Sequence, residues 1–453
     1  MHPRSLTGFR CMQRTILFIF CLLSMAAVIT GQNPEEPFRF GNVDMELLDQ
    51  VKQIDKNFED RGLVYRDAEM NAYLNRLGNS LIKGENQPEN VVWQFRILRD
   101  PSVNAFALPS GSIYVHTGLM ARMENESQLA AVLAHEIIHV SNRHSYKAYR
   151  SYRKKTLAIN LISLAGSFAG MDGLGLAAQF ILNISLIGYS RELEKEADLD
   201  GARLLLASPE LDAQATVGAF ESLLNTYDVD LVGEPFYGDH PKIKDRIAYM
   251  REFLARNSEK EATEGNLNKH TNKEKYQLDI AVVTQHNVYL AIDEGLYRTA
   301  VILGKRLIDV QPNAANITAL ADAYAALGPR PLEPTDEEKS KKGKGEAKKR
   351  SKKMTLQETE RLLASTSTGQ ELQKANYAEA EKQYRSALDK DANFALAWRG
   401  LGTLFEKRDQ PQNAVDAYRK YIELQPGAMD RLMIMRRIKN LEAKTAPADQ
   451  KQL

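Results

Sequence analysis

The stretch LAAVLAHEIIHVSNRH, Leu129 to His144, decides how the first half of the chain is read. An apolar run continues through Val140, and Asn125 followed three residues later by Gln128 gives the capping signature of a helix start. On a helix, His135 and His139 leave one face a turn apart, so both imidazoles can reach a single metal ion. Glu136 points to the side of that pair, placed to take a proton from water at the metal.

Two ligands do not make a catalytic site, which needs three protein ligands and an open position. The metzincin extension asks for glycine and then histidine downstream, but Asn142 and Ser145 stand there, and His144 falls one residue short. The other solution is a glutamate on a later helix, and YSRELEKEADLDGARLL, from Tyr189, offers one. Glu194 and Asp198 are four residues apart, hence on one face: Glu194 as third ligand, Asp198 to accept the outer N–H of a ligating histidine. Glu192 is the rival ligand, while Glu196 falls on the other side and reads as a solvated charge.

Composition narrows what surrounds this site. The 453 residues suit two or three domains, and a net charge of +1 gives no global field for nucleic acid. That neutrality hides KSKKGKGEAKKRSKK, Lys339 to Lys353, where nine basic residues face one glutamate. It reads as a disordered surface insertion. The opening reads as an export signal over residues 1–31: Arg10 and Arg14 precede an apolar run, small residues follow, and cleavage is expected before Gln32. Both cysteines, Cys11 and Cys21, lie in that leader, so metal ligands elsewhere must be His, Asp or Glu.

Along the chain, a helical pattern over 38–81 precedes three β-prone runs, VVWQFRIL, VNAFAL and SIYVHT, with Pro109-Ser110-Gly111 turning between the last two. Leu157 to Tyr189 is apolar but broken by Asp172 and five glycines into pieces shorter than a bilayer span. A buried hairpin is expected there, with a peripheral membrane contact or a mobile cover as alternatives. Residues 256–275 are polar and read as a linker. Beyond them Trp398, Leu401, Gly402, Phe405, Ala414, Tyr418 and Pro426 occupy the places of a tetratricopeptide repeat. Ala380 and Tyr384 repeat the pattern 34 residues earlier, and Ala300 with Pro312 earlier still. Repeats are expected over 276–328 and 356–446, interrupted by the charged insertion at 329–355.

With HEIIH at 135–139, ELEKEADLDG through Glu194 and Asp198, and NAFA at 104–107, the chain resembles the HtpX-like and CAAX-prenyl-protease-type zinc metallopeptidases. The likeness covers about residues 38–255, and the nearest shape is the BepA-like periplasmic branch with a tetratricopeptide tail. DHPKIKDRI matches the family's HP…R motif through His240 and Arg246. The resemblance implies that these two stabilise the oxyanion, and that His240 caps the zinc in a latent resting state. Of the other histidines, His116 reads as an exposed strand position, and His144 and His286 as surface or partly packed residues. Ile113, Tyr114, Val115 and His116 are the candidate edge strand for pairing with extended substrate.

The expected fold is an α+β zincin-like metallopeptidase domain, mostly helical with a small sheet, at 32–255, followed by an all-α tetratricopeptide solenoid. The expected activity is zinc-dependent hydrolysis of unfolded or misfolded polypeptides with one Zn(2+) per chain. The resemblance places it in the periplasm, with the outer-membrane β-barrel assembly machinery as partner of the repeats. The rival reading is a chaperone or adaptor whose zinc site is latent or structural.

Overall fold

The computed structural model describes residues 39–82, 88, 91–156, 181–182, 188–226, 243–261, 271–333 and 356–445. The expected export signal, most of 157–189, the basic insertion and His240 lie outside them. The chain divides into two units, Met1–Glu46 and Leu47–Leu453. In the first, helix α1 (Asn42–Asp60) begins, its start tied by the Asp44 carboxylate accepting the Gly41 N–H at 2.7 Å.

In the second unit, α1 buries Leu47, Val51, Ile54 and Phe58, a stripe at helical spacing. Phe58 meets Phe106 and Tyr114 edge-on, and Asp55 accepts the Tyr114 hydroxyl at 2.5 Å. This fixes α1 to a three-stranded sheet of β1 (Gln94–Leu98), β2 (Ala105–Ala107) and β3 (Ser112–His116), with α2 (Ala68–Ile82) packed on β1. The order is β1-β3-β2: β3 runs parallel to β1, with Phe95 opposite Ile113, and antiparallel to β2, with Phe106 opposite Tyr114. The β2–β3 turn needs Gly111, whose φ of 102° lies where L side chains are strained.

The sheet order corrects one expectation. Ile113, Tyr114, Val115 and His116 form the central strand, paired on both sides and buried throughout. Five consecutive buried residues without polar alternation are what a strand covered on both faces requires. The edge beside the histidine helix is β2, which packs on it and pairs, among the described residues, with β3 alone.

After the short α3 (Thr117–Arg122), α4 (Glu126–Ser141) carries the histidine motif through the core, burying Leu129, Leu133, Ala134 and Ile137. Burial of each Leu or Ile is worth about 1.5–3 kcal/mol. Asn125 caps it by accepting the Gln128 N–H at 2.9 Å, while the Gln128 side chain reaches back to the Glu124 N–H at 2.9 Å. Around α4 lie α5 (His144–Thr156), α6 (Arg191–Leu206), α7 (Ala215–Thr226) and α8 (Ile243–Glu261). Helix α8 runs through Arg256–Glu261, where the sequence suggested a linker: good helix formers anchored by buried Leu254 prolong it despite their polarity.

From α9 (Lys273–Asp279) onward every described element is helical: α10 (Ala281–Asp293), α11 (Tyr297–Val310), α12 (Ala314–Leu327), α13 (Leu356–Ala364), α14 (Ser367–Lys390), α15 (Ala395–Lys407), α16 (Pro411–Leu424) and α17 (Arg431–Thr445). Buried Ala380, Tyr384, Leu401, Ala414 and Tyr418 form their seams. These helices dock on α3. Tyr276 and Gln277 donate to the Met120 and Met123 carbonyls at 3.0 and 2.8 Å, and Arg306 donates to the Ala121 carbonyl at 2.7 Å. Among the described residues no helix is long and apolar enough to cross a membrane.

Candidate metal centre

Two helices build the site. Gly201 of α6 faces the α4 backbone so closely that a Cβ there would stand 3.1 Å from the His135 nitrogen. One and two turns before it, Asp198 and Glu194 reach α4 from the same face, both buried. The Nε2 atoms of His135 and His139 lie 3.0 Å apart. Glu194 oxygens stand 3.5 Å from the first and 3.8 Å from the second. Ligands about 2.0–2.2 Å from a tetrahedral ion are about 3.3–3.6 Å from one another, and the three separations, 3.0, 3.5 and 3.8 Å, scatter around that spacing. His135, His139 and Glu194 are the one such group among the described residues.

Burial works against charge on His135, yet hydrogen bonds to Asp198 and Glu194 raise it to about 10. Burial, reinforced by the charge of His135, drives His139 well below the ordinary histidine range. Beside them Glu136 is buried, and desolvation pushes its carboxyl up to about 8. The Ala107 N–H of β2 donates to that carboxylate.

Behind these groups each orientation is fixed. The His135 Nδ1 meets Asp198 at 2.9 Å. Burial opposes the Asp198 charge, but Arg246 and His135 hold that carboxyl below the usual range. Arg246 of α8 grips Asp198 through Nε at 2.8 Å and Nη2 at 2.6 Å, its guanidinium lying 4.5 Å over the Phe220 ring. The Tyr249 hydroxyl also donates to Asp198. The Tyr189 N–H donates to Glu194 at 2.9 Å, and the Tyr189 ring stacks 4.2 Å from that of His139.

The structure therefore brings His135, Glu136, His139, Glu194, Asp198 and Arg246 together, whereas His240 lies outside the described residues. Arg246 has a partner the sequence did not suggest, the Asp198 carboxylate. Glu192, the rival ligand, is exposed. His116 is not exposed: it is buried, with Nδ1 2.8 Å from the Ser102 hydroxyl and 3.5 Å from Asp100. His286 is partly packed, against the Tyr65 ring. His144 departs most from its reading: it is wholly buried, 2.9 Å from His139 Nδ1. Glu196, read as solvated, accepts from Asn142 at 2.6 Å.

Two histidines on α4 and a glutamate on α6 thus converge on a common point as a candidate metal-binding centre. Residues 68–254 match the model described as Peptidase family M48. It is similar to the beta-barrel assembly-enhancing protease of Escherichia coli (strain K12), 31% identical over 193 residues, 41% of this chain and 39% of that one. It is similar also to the mitochondrial metalloendopeptidase OMA1 of Schizosaccharomyces pombe, 29% identical over 223 residues, 48% of this chain and 64% of that one. With metalloprotease YcaL of Escherichia coli (strain K12) it shares 30% identity over 167 residues, 36% of this chain and 62% of that one. In each case the chain spans less than two thirds of the relative's length.

Proposed function

We propose that the chain is an exported zinc metalloendopeptidase that cleaves unfolded or misfolded proteins. The observation that carries the reading is the convergence of His135, His139 and Glu194 donor atoms beside buried Glu136. A zinc ion held there supplies Lewis acidity, polarising the scissile carbonyl and acidifying water. Glu136 would take the proton from that water and pass it to the leaving amine. Asp198, clamped by Arg246 and Tyr249, holds the His135 tautomer. The guanidinium also adds positive charge near Glu136, and with His240 it is the proposed source of oxyanion stabilisation.

Substrate is proposed to add a strand to β2. In its pairing with β3, Leu108 N–H donates to Ser112 and Asn104 C=O accepts from His116, so even-numbered residues face β3. The backbone groups of Ala105 and the Ala107 carbonyl are then turned to the open edge, the Ala107 N–H being held by Glu136. Backbone pairing tolerates many sequences, as a protease of unfolded chains requires.

The C-terminal helices are proposed to be a tetratricopeptide array that recruits substrate or a larger assembly. In support, the motif positions Leu401, Gly402, Phe405, Ala414 and Tyr418 are all buried. The name of the Escherichia coli relative suggests β-barrel assembly as the setting, and the proposed export signal at 1–31 would carry the chain to the periplasm. His240 is proposed to hold the resting enzyme latent. The adaptor reading draws on the docking of these helices on α3.

The test is reconstitution. Chelated, metal-free protein should be inactive and recover hydrolysis of an unfolded protein with one equivalent of zinc, with His240→Ala at least as active. Full recovery of cellular function by Glu136→Gln, with loss on deleting 276–453, would instead support the adaptor.

A further inference from the structure

The second zinc ligand has a support that the sequence hides. Helix α4 ends at Asn142, and Arg143 adopts a φ of 55°, the left-handed conformation that turns the chain sharply. The turn swings His144, the first residue of α5, back under His139. Their Nδ1 atoms lie 2.9 Å apart, with His144 wholly buried. Two ring nitrogens at that distance share one proton, so one must donate and the other accept.

The direction follows from the metal site. His139 can offer Nε2 to a cation only as a lone pair, so its proton sits on Nδ1 and is donated to His144. His144 then carries its own proton on Nε2, which faces Glu196 Oε1 at 3.5 Å. Glu196 is placed by Asn142, which donates to Oε1 at 2.6 Å, with Lys147 Nζ 4.0 Å away. Tyr189 completes the setting: stacked on His139 and 5.9 Å from the His144 ring centre, it also meets the Ser145 hydroxyl at 2.7 Å. His135 has Asp198 behind it; the equivalent behind His139 is a neutral histidine with a carboxylate at its far nitrogen.

We infer that His144, oriented by Glu196, is a positioning residue that fixes the tautomer and ring angle of His139 for the metal. The inference rests on the zinc-site reading above. An imidazole acceptor in place of a carboxylate spares the pocket a further buried acidic group beside Glu136, Glu194 and Asp198. It also explains why a side chain five residues beyond His139, on a separate helix, is buried at a polar site without being a ligand.

The experiment uses the full chain and measures zinc affinity by competition with a chromophoric chelator, together with the visible spectrum of the cobalt(II)-loaded protein. His144→Leu should bind zinc about 10- to 100-fold more weakly and shift the cobalt bands. His144→Asn, whose amide oxygen can accept from His139, should recover most of that affinity. Glu196→Gln should give a loss smaller than that of His144→Leu. A His144→Leu protein that matches wild type in both readouts overturns the inference, as does a His144→Asn protein no better than His144→Leu. Glu194→Gln serves as the control: if wild type takes up no zinc, or Glu194→Gln takes it up equally well, the metal-site reading fails and the inference falls with it.

Discussion

Arg246 closes on both carboxylate oxygens of Asp198, at 2.8 and 2.6 Å, and neither side chain is more than 1% exposed. Helix α8 is thereby tied, through Asp198, to the outer nitrogen of His135. Removing one partner of a buried ion pair strands the other charge, at a cost of about 3–5 kcal/mol. Arg246→Ala is expected to lose stability of that order in urea unfolding and to bind zinc more weakly. Arg246→Lys should rescue little, because an ammonium cannot present the two-pronged fork. A loss below about 1 kcal/mol would mean that the pair contributes little.

Gly201 sets the distance between the two ligand-bearing helices. With a Cβ 3.1 Å from the His135 nitrogen and 3.2 Å from the Ala134 carbonyl carbon, Gly201→Ala must push α6 away by a few tenths of an ångström. Overpacking of this kind costs about 1–3 kcal/mol. Chelator competition should show weakened zinc binding in step with lowered stability. Unchanged zinc affinity would separate helix spacing from ligand placement.

If substrate pairs with β2, its backbone N–H groups matter at every second residue. N-methylating a peptide substrate one position at a time should lower kcat/KM by about tenfold at alternate positions near the scissile bond. A flat profile would remove β2 as the substrate strand.

Asp322 of the C-terminal helices accepts from the Tyr384 hydroxyl and is also bonded to Tyr289. Burial, opposed by those bonds, pushes its carboxyl up to about 6. The folded protein therefore holds this proton more tightly than the unfolded chain. The resulting stabilisation is complete below pH 3.8 and lost as pH rises through about 6. Measured against Asp322→Asn, wild-type stability should rise by about 2–3 kcal/mol on acidification across that window. A constant difference between the two proteins would contradict the assignment.

Much of the centre is legible in the sequence because helices make it so. His135 with His139, and Glu194 with Asp198, are four residues apart, and that spacing alone puts each pair on one face. The sheet is less legible: the runs announce strands, but hydrophobicity says little about their order. That β3 lies in the middle shows only in the fold, where Ser112 to His116 are buried without a break. His144 was hidden for a different reason. Its approach to His139 depends on the left-handed Arg143, and a non-glycine residue there gives no hint of such a turn. Arg246 was found, but its bond to Asp198 joins residues 48 apart on separate helices, which no local pattern encodes.

The most direct measurement of the central claim is cleavage of an unfolded, fluorescently labelled protein by zinc-loaded wild type and Glu136→Gln, with bound zinc quantified in both. The account predicts one zinc in each protein and a fall in hydrolysis of about 10²–10⁴-fold in Glu136→Gln. Equal cleavage by the two zinc-loaded proteins would contradict it.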